Sequence, residues 1–250
     1  MKNVWKFMPL SKSIFFFVFL VPLAACGCEH TAIGRPAGVG TFFCRTGYAL
    51  LHSPMNKTPL WVQEYLTAEH TEGPVPRSNN FQPDPDLPLG QRAELEDYKG
   101  SGYDRGHMAP AGDMQWSEKA MEESFYLSNM VPQVGPNMNQ GIWATLEDTV
   151  RRWAKERGAL YVITGPIGVS GIVGPNHVAV PASLYKIVYD PKTQEAIAFI
   201  MPNKAIPSRS LSPWIRSVDE VEEATGLDFL SALPAETQNQ VESKRAPALW

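Results

Sequence analysis

The sequence predicts an α+β fold: one mixed α/β domain built around a central antiparallel sheet. Three observations lead there. Residues 160–164, Leu-Tyr-Val-Ile-Thr, form a continuous apolar run suited to a strand covered on both faces. Ile142, Leu146, Val150 and Trp153 recur at spacings of four, four and three, which lays one buried stripe along a helix. The 22 prolines and 19 glycines require many turns. No linker or internal repeat divides the 250 residues, a length that suits one large domain.

Residues 1–25 stand apart from the fold. Lys2, Lys6 and Lys12 precede a short apolar run, Ile14 to Leu20, and Pro22-Leu23-Ala24-Ala25 ends it with small residues. This is the pattern of a secretory signal peptide, and the run is too short for a membrane span of ~20 residues. The chain is therefore expected to be exported, to a periplasm or the extracellular medium. Leu23-Ala24-Ala25-Cys26 also matches a bacterial lipobox, which would make Cys26 a lipid anchor and the chain an outer-membrane lipoprotein. Ordinary cleavage near Ala25 is the alternative. Three cysteines are an odd number for an exported chain. With Cys26 lipidated, Cys28 and Cys44 remain as a pair that an oxidising compartment would bridge.

The whole chain carries a net charge of −4. Removing residues 1–25 takes three lysines and no acid, leaving 19 basic against 26 acidic residues, or −7. Coating of a nucleic-acid duplex is thereby excluded, because any attraction for phosphate must be local.

Strands are expected at Phe42–Leu51 and Leu60–Leu66, joined through the turn residues Ser53-Pro54-Met55-Asn56-Lys57 as a hairpin. The proline-rich residues 72–90 form a surface loop. Ser117 caps a short helix, and Phe125-Tyr126-Leu127 opens a strand. The striped helix runs from Asn139 to Arg157 and ends at Gly158. Its last turns carry Arg151, Arg152, Lys155 and Arg157, which favour the negative end of the helix dipole. Further strands are expected at Leu184–Tyr189 and Ala196–Met201. Ser212-Pro213 is read as the start of a helix that Gly226 closes. Residues 236–250 are polar and expected to be a mobile tail, leaving 26–235 as the domain.

Within this frame one block carries chemistry. It reads Tyr103-Asp104-Arg105-Gly106-His107-Met108-Ala109-Pro110, then Ser128-Asn129-Met130-Val131-Pro132-Gln133, then Asn139-Gln140-Gly141-Ile142-Trp143 and Leu146-Glu147. Adjacent strand residues point to opposite faces, so Arg105 and His107 share a face that Asp104 does not. An arginine fork can grip two phosphate oxygens. A histidine with an ordinary pKa near ~6.5 can accept a proton from water. The plainer readings are an ion pair between Arg105 and Asp104 and a core histidine satisfied by backbone. Gly106 is expected to let the chain pass close to substrate. No histidine or cysteine pair has zinc spacing, and no phosphate-binding glycine loop is present.

The block resembles the DNA/RNA non-specific endonucleases, the ββα-metal (His-Me finger) nucleases that have endonuclease G and secreted bacterial nucleases among their members. The similarity runs from about Gly47 to Leu230. It implies a metal-dependent endonuclease acting on DNA and RNA with little sequence preference and leaving 5′-phosphate ends. His107 would be the general base and Arg105 a phosphate ligand. Arg77, in the proline-rich loop, best matches a further phosphate-binding arginine; its plainer reading is a solvated charge. The resemblance makes Asn139 the single direct ligand of Mg²⁺, with Mn²⁺ as an alternative cation. Asn137 with Gln140 would form the helix capping box and free Asn139 for the metal. Glu147 would hold metal-bound waters; its plainer reading is an ion pair with Arg151. Asn129 matches a position near the scissile phosphate, against a plain turn asparagine. A homodimer and an inhibitor protein stay open. The rival readings are a catalytically inactive nucleic-acid-binding protein and a surface-docking lipoprotein on the same fold.

Overall fold

The structure is a computed structural model that describes Met1 and residues 27–250. The signal segment and Cys26 lie outside the described residues. Among the described residues, nine strands and five α-helices order along the chain as β1 (Thr41–Cys44), β2 (Ala49–Ser53), β3 (Thr58–Thr67), α1 (Leu95–Tyr98), β4 (Asp104–His107), α2 (Glu118–Ser124), β5 (Met130–Gln133), α3 (Ala144–Arg157), β6 (Ala159–Val173), β7 (Val178–Asp190), β8 (Glu195–Pro202), β9 (Ile215–Arg216), α4 (Val218–Thr225) and α5 (Ala235–Glu242). Seven strands form one sheet in the order β1-β2-β3-β6-β7-β8-β9, and every pairing in it is antiparallel. β4 and β5 form a separate antiparallel pair. The expected α+β class with a large antiparallel sheet is what the chain adopts.

The sheet separates two cores because its strands alternate. Leu50, Val62, Leu66, Leu160, Val162, Leu184 and Val188 face one layer, with α3 and the β4–β5 pair. Ala49, Leu51, Trp61, Ile163, Tyr185, Ile187 and Tyr189 face the other, with Val218 and Val221 of α4 and Val241 of α5. The apolar run at 160–164 is thus the central strand, apolar on both faces because both are covered. On α3 and the turn before it, Ile142, Leu146, Val150 and Trp153 are all buried.

Several local expectations are corrected. Phe42–Leu51 is two strands, since the chain reverses at Arg45–Tyr48, where the Arg45 N–H donates to Tyr48 O. The strand after Phe125 begins only at Met130, following a 3₁₀ turn at Leu127–Asn129. α3 is regular only from Ala144. Before it, Gly135–Trp143 is a wide π-type turn broken at Asn137 (φ 61°) and Gly141 (φ −130°, ψ −111°). The helix that Gly226 closes, at φ 70°, starts at Ser217, not Ser212; Ser217 and Glu220 make its capping box. Ser117 caps α2 by accepting from Ala120 N, as expected.

The carboxy-terminal residues are not a free tail. Val241 and Glu242 of α5 are buried. The Trp153 indole N–H donates to Trp250 O, and the Arg157 guanidinium sits 3.9 Å from the Trp250 ring centroid. At the other end Cys28 and Cys44 form a disulfide that ties the amino-terminal segment to edge strand β1.

Candidate active site

β4, β5 and α3 form a ββα unit packed on the inner face of the sheet. Arg105 and His107 sit on β4 in register with Pro132 and Met130 of β5. The wide turn then brings Asn139 beside Asp104, and α3 carries Glu147 up the wall. These residues line one open cleft of about 880 Å³, closed on the far side by Arg77 and Phe81. Five of the six expected residues, Arg77, Arg105, His107, Asn139 and Glu147, meet there.

Asp104 organises the wall of the cleft that carries Asn139 and Gln140. Its Oδ2 accepts from Asn139 Nδ2 and from Gln140 Nε2, each at 2.8 Å. A carboxylate can only accept, so the amide nitrogen of Asn139 must face it and the amide oxygen is turned away. The expected Asn137–Gln140 capping box does not form: Asn137 is left-handed, no side chain caps this turn, and Gln140 is bonded to Asp104. The ion pair between Asp104 and Arg105 is absent, because Arg105 instead lies 4.1 Å over the Phe81 ring.

His107 is 8 % exposed, with Phe125 edge-on at 4.9 Å and Phe81 at 5.6 Å. Its Nε2 is buried without a hydrogen-bond partner. Burial first, and then the charges of Arg77 and Arg105, lower its pKa to about 3, far from the ordinary value expected from sequence. Arg77 itself stacks 5.3 Å over Phe125. The loop that carries Arg77 and Phe81 is irregular but pinned. Buried Asp84 receives both Arg45 contacts at 2.8 Å and the Ser128 hydroxyl at 2.5 Å, and Arg92 binds the carbonyls of Asp84 and Leu87.

Asn129 is the sixth expected residue, and the structure moves it out of the cleft. Fully buried, it accepts from Ala109 N and donates to Ala109 O and Ser124 O, all at 2.9 Å. Its amide is saturated by backbone, so it holds the segment just after His107 and cannot touch a phosphate. Gly106 likewise serves packing: a Cβ there would come within 2.1 Å of Gln133 Oε1.

Beneath Glu147 lies a buried charged layer that sequence reasoning missed. Glu64, Thr164 and Lys186 occupy inward strand positions, on the same phase as Val62, Val162 and Leu184. Lys186 Nζ donates to Thr164 Oγ1 at 2.6 Å and sits 5.3 Å from the Trp143 ring. Arg151, which also lines the cleft, pairs with Asp113 at 2.7 Å and with Asp148 at 2.8 Å, not with Glu147. Burial raises the Glu147 pKa to about 7, opposed mainly by Lys186. The signal for this layer was a charged residue at the buried phase of an otherwise apolar strand, as in Leu184-Tyr185-Lys186-Ile187-Val188. Two further cations of α3 are paired with other elements, Lys155 with Glu72 and Arg157 with Asp190 and Glu195, while Arg152 is exposed.

A ββα unit that presents an arginine, a histidine and an asparagine in one cleft has the make-up of a site for a phosphodiester. Comparison with known proteins agrees. Residues 27–236 match the family described as DNA/RNA non-specific endonuclease. Nuclease C1 of Cunninghamella echinulata var. echinulata is 38 % identical over 222 residues, covering 82 % of this chain and 88 % of that protein. Mitochondrial endonuclease G of Bos taurus is 36 % identical over 244 residues, covering 84 % and 80 %. A crystal structure of the EndoG/EndoGI complex superposes with a TM-score of 0.78 at 34 % identity, covering 84 % of this chain and 93 % of that one. The chain belongs to the DNA/RNA non-specific endonuclease family and is a hydrolase, an endonuclease.

Proposed function

We propose that this endonuclease is metal-dependent, cleaves DNA and RNA with little sequence preference, and leaves 5′-phosphate ends. One observation carries the reading: Asp104 holds the Asn139 amide so that its oxygen is turned away, in the cleft that also holds His107 and Arg105. A lone outward amide oxygen with Glu147 nearby suits a hard cation that keeps most of its waters. Asn139 would be the direct ligand and Glu147 would hold the bound waters. Mg²⁺ held there would supply positive charge to stabilise the leaving 3′ oxygen.

Arg105 and Arg77 grip the non-bridging phosphate oxygens from the aromatic side. His107 takes the proton of the attacking water. Because Nε2 is shut away from solvent, Nδ1 is the nitrogen that receives it. A pKa of about 3 makes the free enzyme's histidine a weak base. Burial is the larger cause of that depression, and a bound phosphodiester would offset the two arginine charges that add to it, raising the basicity. Contacts of this kind read the backbone and not the bases, hence the weak sequence preference.

Conversion of supercoiled plasmid to nicked circles with Mg²⁺, and none with EDTA, is the expected result; RNA should be degraded under the same conditions. Intact plasmid at saturating Mg²⁺ would instead favour an inactive nucleic-acid binder. Export is proposed alongside, supported by the disulfide between Cys28 and Cys44, a bond that persists in oxidising compartments. A lipid anchor at Cys26 would show as incorporation of labelled fatty acid that Cys26→Ser abolishes.

A further inference from the structure

Away from the cleft, on the opposite face of the sheet, three carboxylates converge without a counter-charge. Asp219 and Glu222 lie three residues apart on one side of α4, and Glu242 ends α5. One carboxylate oxygen from each stands within 4.8 Å of the others. Of the basic side chains near in sequence, Arg216 and Arg245 both turn to Glu220, and Lys244 makes no ion pair with any of the three carboxylates. Glu222 Oε1 accepts from Phe229 N at 2.7 Å, which fixes that side chain.

Glu242 supplies a second, separate observation. It is only 7 % exposed, and its Oε1 is buried with no hydrogen-bond partner. A buried carboxylate oxygen without a donor carries a desolvation cost that something must relieve. Burial, and then Glu222, Asp219 and Asp228, push the Glu242 pKa up to about 7. Burial also raises Glu222, with Asp228 and Asp219 adding to it against the Phe229 N–H. Such a group is neutralised either by a proton or by a cation.

We propose that Asp219, Glu222 and Glu242 bind a divalent cation of the calcium type, separate from the catalytic cleft, which fastens α5 to α4. The donors are all carboxylate oxygens, the hard ligands this ion takes. Calcium–oxygen distances of 2.3–2.6 Å put opposite ligands roughly 4.6–5.2 Å apart, so three oxygens within 4.8 Å fit one coordination shell. The corresponding span for Mg²⁺ is narrower, about 4.0–4.2 Å. Asp219 is exposed, which leaves the outer positions open to water.

The test measures binding of radiolabelled calcium to the full chain by equilibrium dialysis. Asn139→Ala is used as background so that the catalytic ligand is missing. One calcium per chain is expected, and adding Glu242→Gln or Asp219→Asn should weaken it at least tenfold. In the same background, calcium should raise the melting temperature relative to EDTA, and Glu242→Gln should abolish that rise. Asp219 is exposed, so Asp219→Asn serves should Glu242→Gln fail to fold. No calcium on the Asn139→Ala chain, or equal binding with and without the second substitution, would overturn the site and leave a proton shared among the three carboxyls. Complete displacement of calcium by equimolar Mg²⁺ would overturn the choice of ion.

Discussion

Asp104 Oδ2 accepts the side-chain amide of Asn139 at 2.8 Å, and this single contact sets which end of that amide meets the cleft. Two residues 35 positions apart thereby behave as one device. Asp104→Ala should leave Asn139 free to rotate. The concentration of Mg²⁺ needed for half-maximal activity should rise about 10–100-fold, with much of the rate recovered at saturation. Unchanged metal dependence would show that Asp104 has no part in orienting the ligand.

The two asparagines of the motif should separate cleanly. Asn139 makes one side-chain hydrogen bond, so Asn139→Ala should cost roughly 0.5–1.5 kcal/mol of stability while activity falls by orders of magnitude. Asn129 satisfies three buried backbone groups, and Asn129→Ala leaves them unpaired at about 1–3 kcal/mol each. Thermal melting of both variants checks the contrast; a larger loss of stability for Asn139→Ala would reverse it.

Stability should respond to pH in opposite senses through His107 and Glu147. The folded pKa of His107, about 3, lies below its unfolded value of ~6.5, so the unfolded chain binds more protons between them. This contribution is present above pH ~6.5 and is lost as pH falls toward 3. Glu147, raised to about 7, binds its proton more tightly when folded, so its contribution is lost as pH rises from about 4.5 through 7. In EDTA, between pH 4.5 and 6.5, His107→Gln should flatten the rise of the urea midpoint with pH, and Glu147→Gln should steepen it. Matching slopes in all three proteins would contradict the buried environments described for both groups.

Cys28 and Cys44 lie 16 residues apart, and their bond closes a short loop against an edge strand. Reduction, or Cys44→Ser, should lower stability by about 3 kcal/mol while sparing activity at low temperature. Free-thiol labelling of both cysteines in the native protein would show the bond is absent.

Much of this was legible because it is written in local patterns. The α3 stripe, the Ser117 cap, Gly226 and the Asp104–His107 strand each announce themselves within a few residues. Tertiary features were hidden. Gly47 is required because Met114 Sδ would stand 2.2 Å from its Cβ, a contact invisible in the sequence, and that turn splits the expected first strand. Asn129 was assigned to the cleft because it matches a family position near the scissile phosphate, yet its amide is filled by Ala109 and Ser124. Ser217-Val218-Asp219-Glu220 did carry a capping-box signal that Ser212-Pro213 obscured. The polar tail misled through composition alone, since Trp250 anchors it on Trp153.

The pairing of the α3 cations bears on how a long polymer would be cut. Arg151, Lys155 and Arg157 are each held by carboxylates, whereas Arg77 and Arg105 rest on aromatic rings. A chain of net charge −4 then offers a polyanion a short grip of two or three phosphates, with repulsion beyond it. Affinity should fall with only the second or third power of salt. Such a grip is expected to release the strand after each scission, so long molecules should shorten together, passing through intermediate lengths before oligonucleotides accumulate.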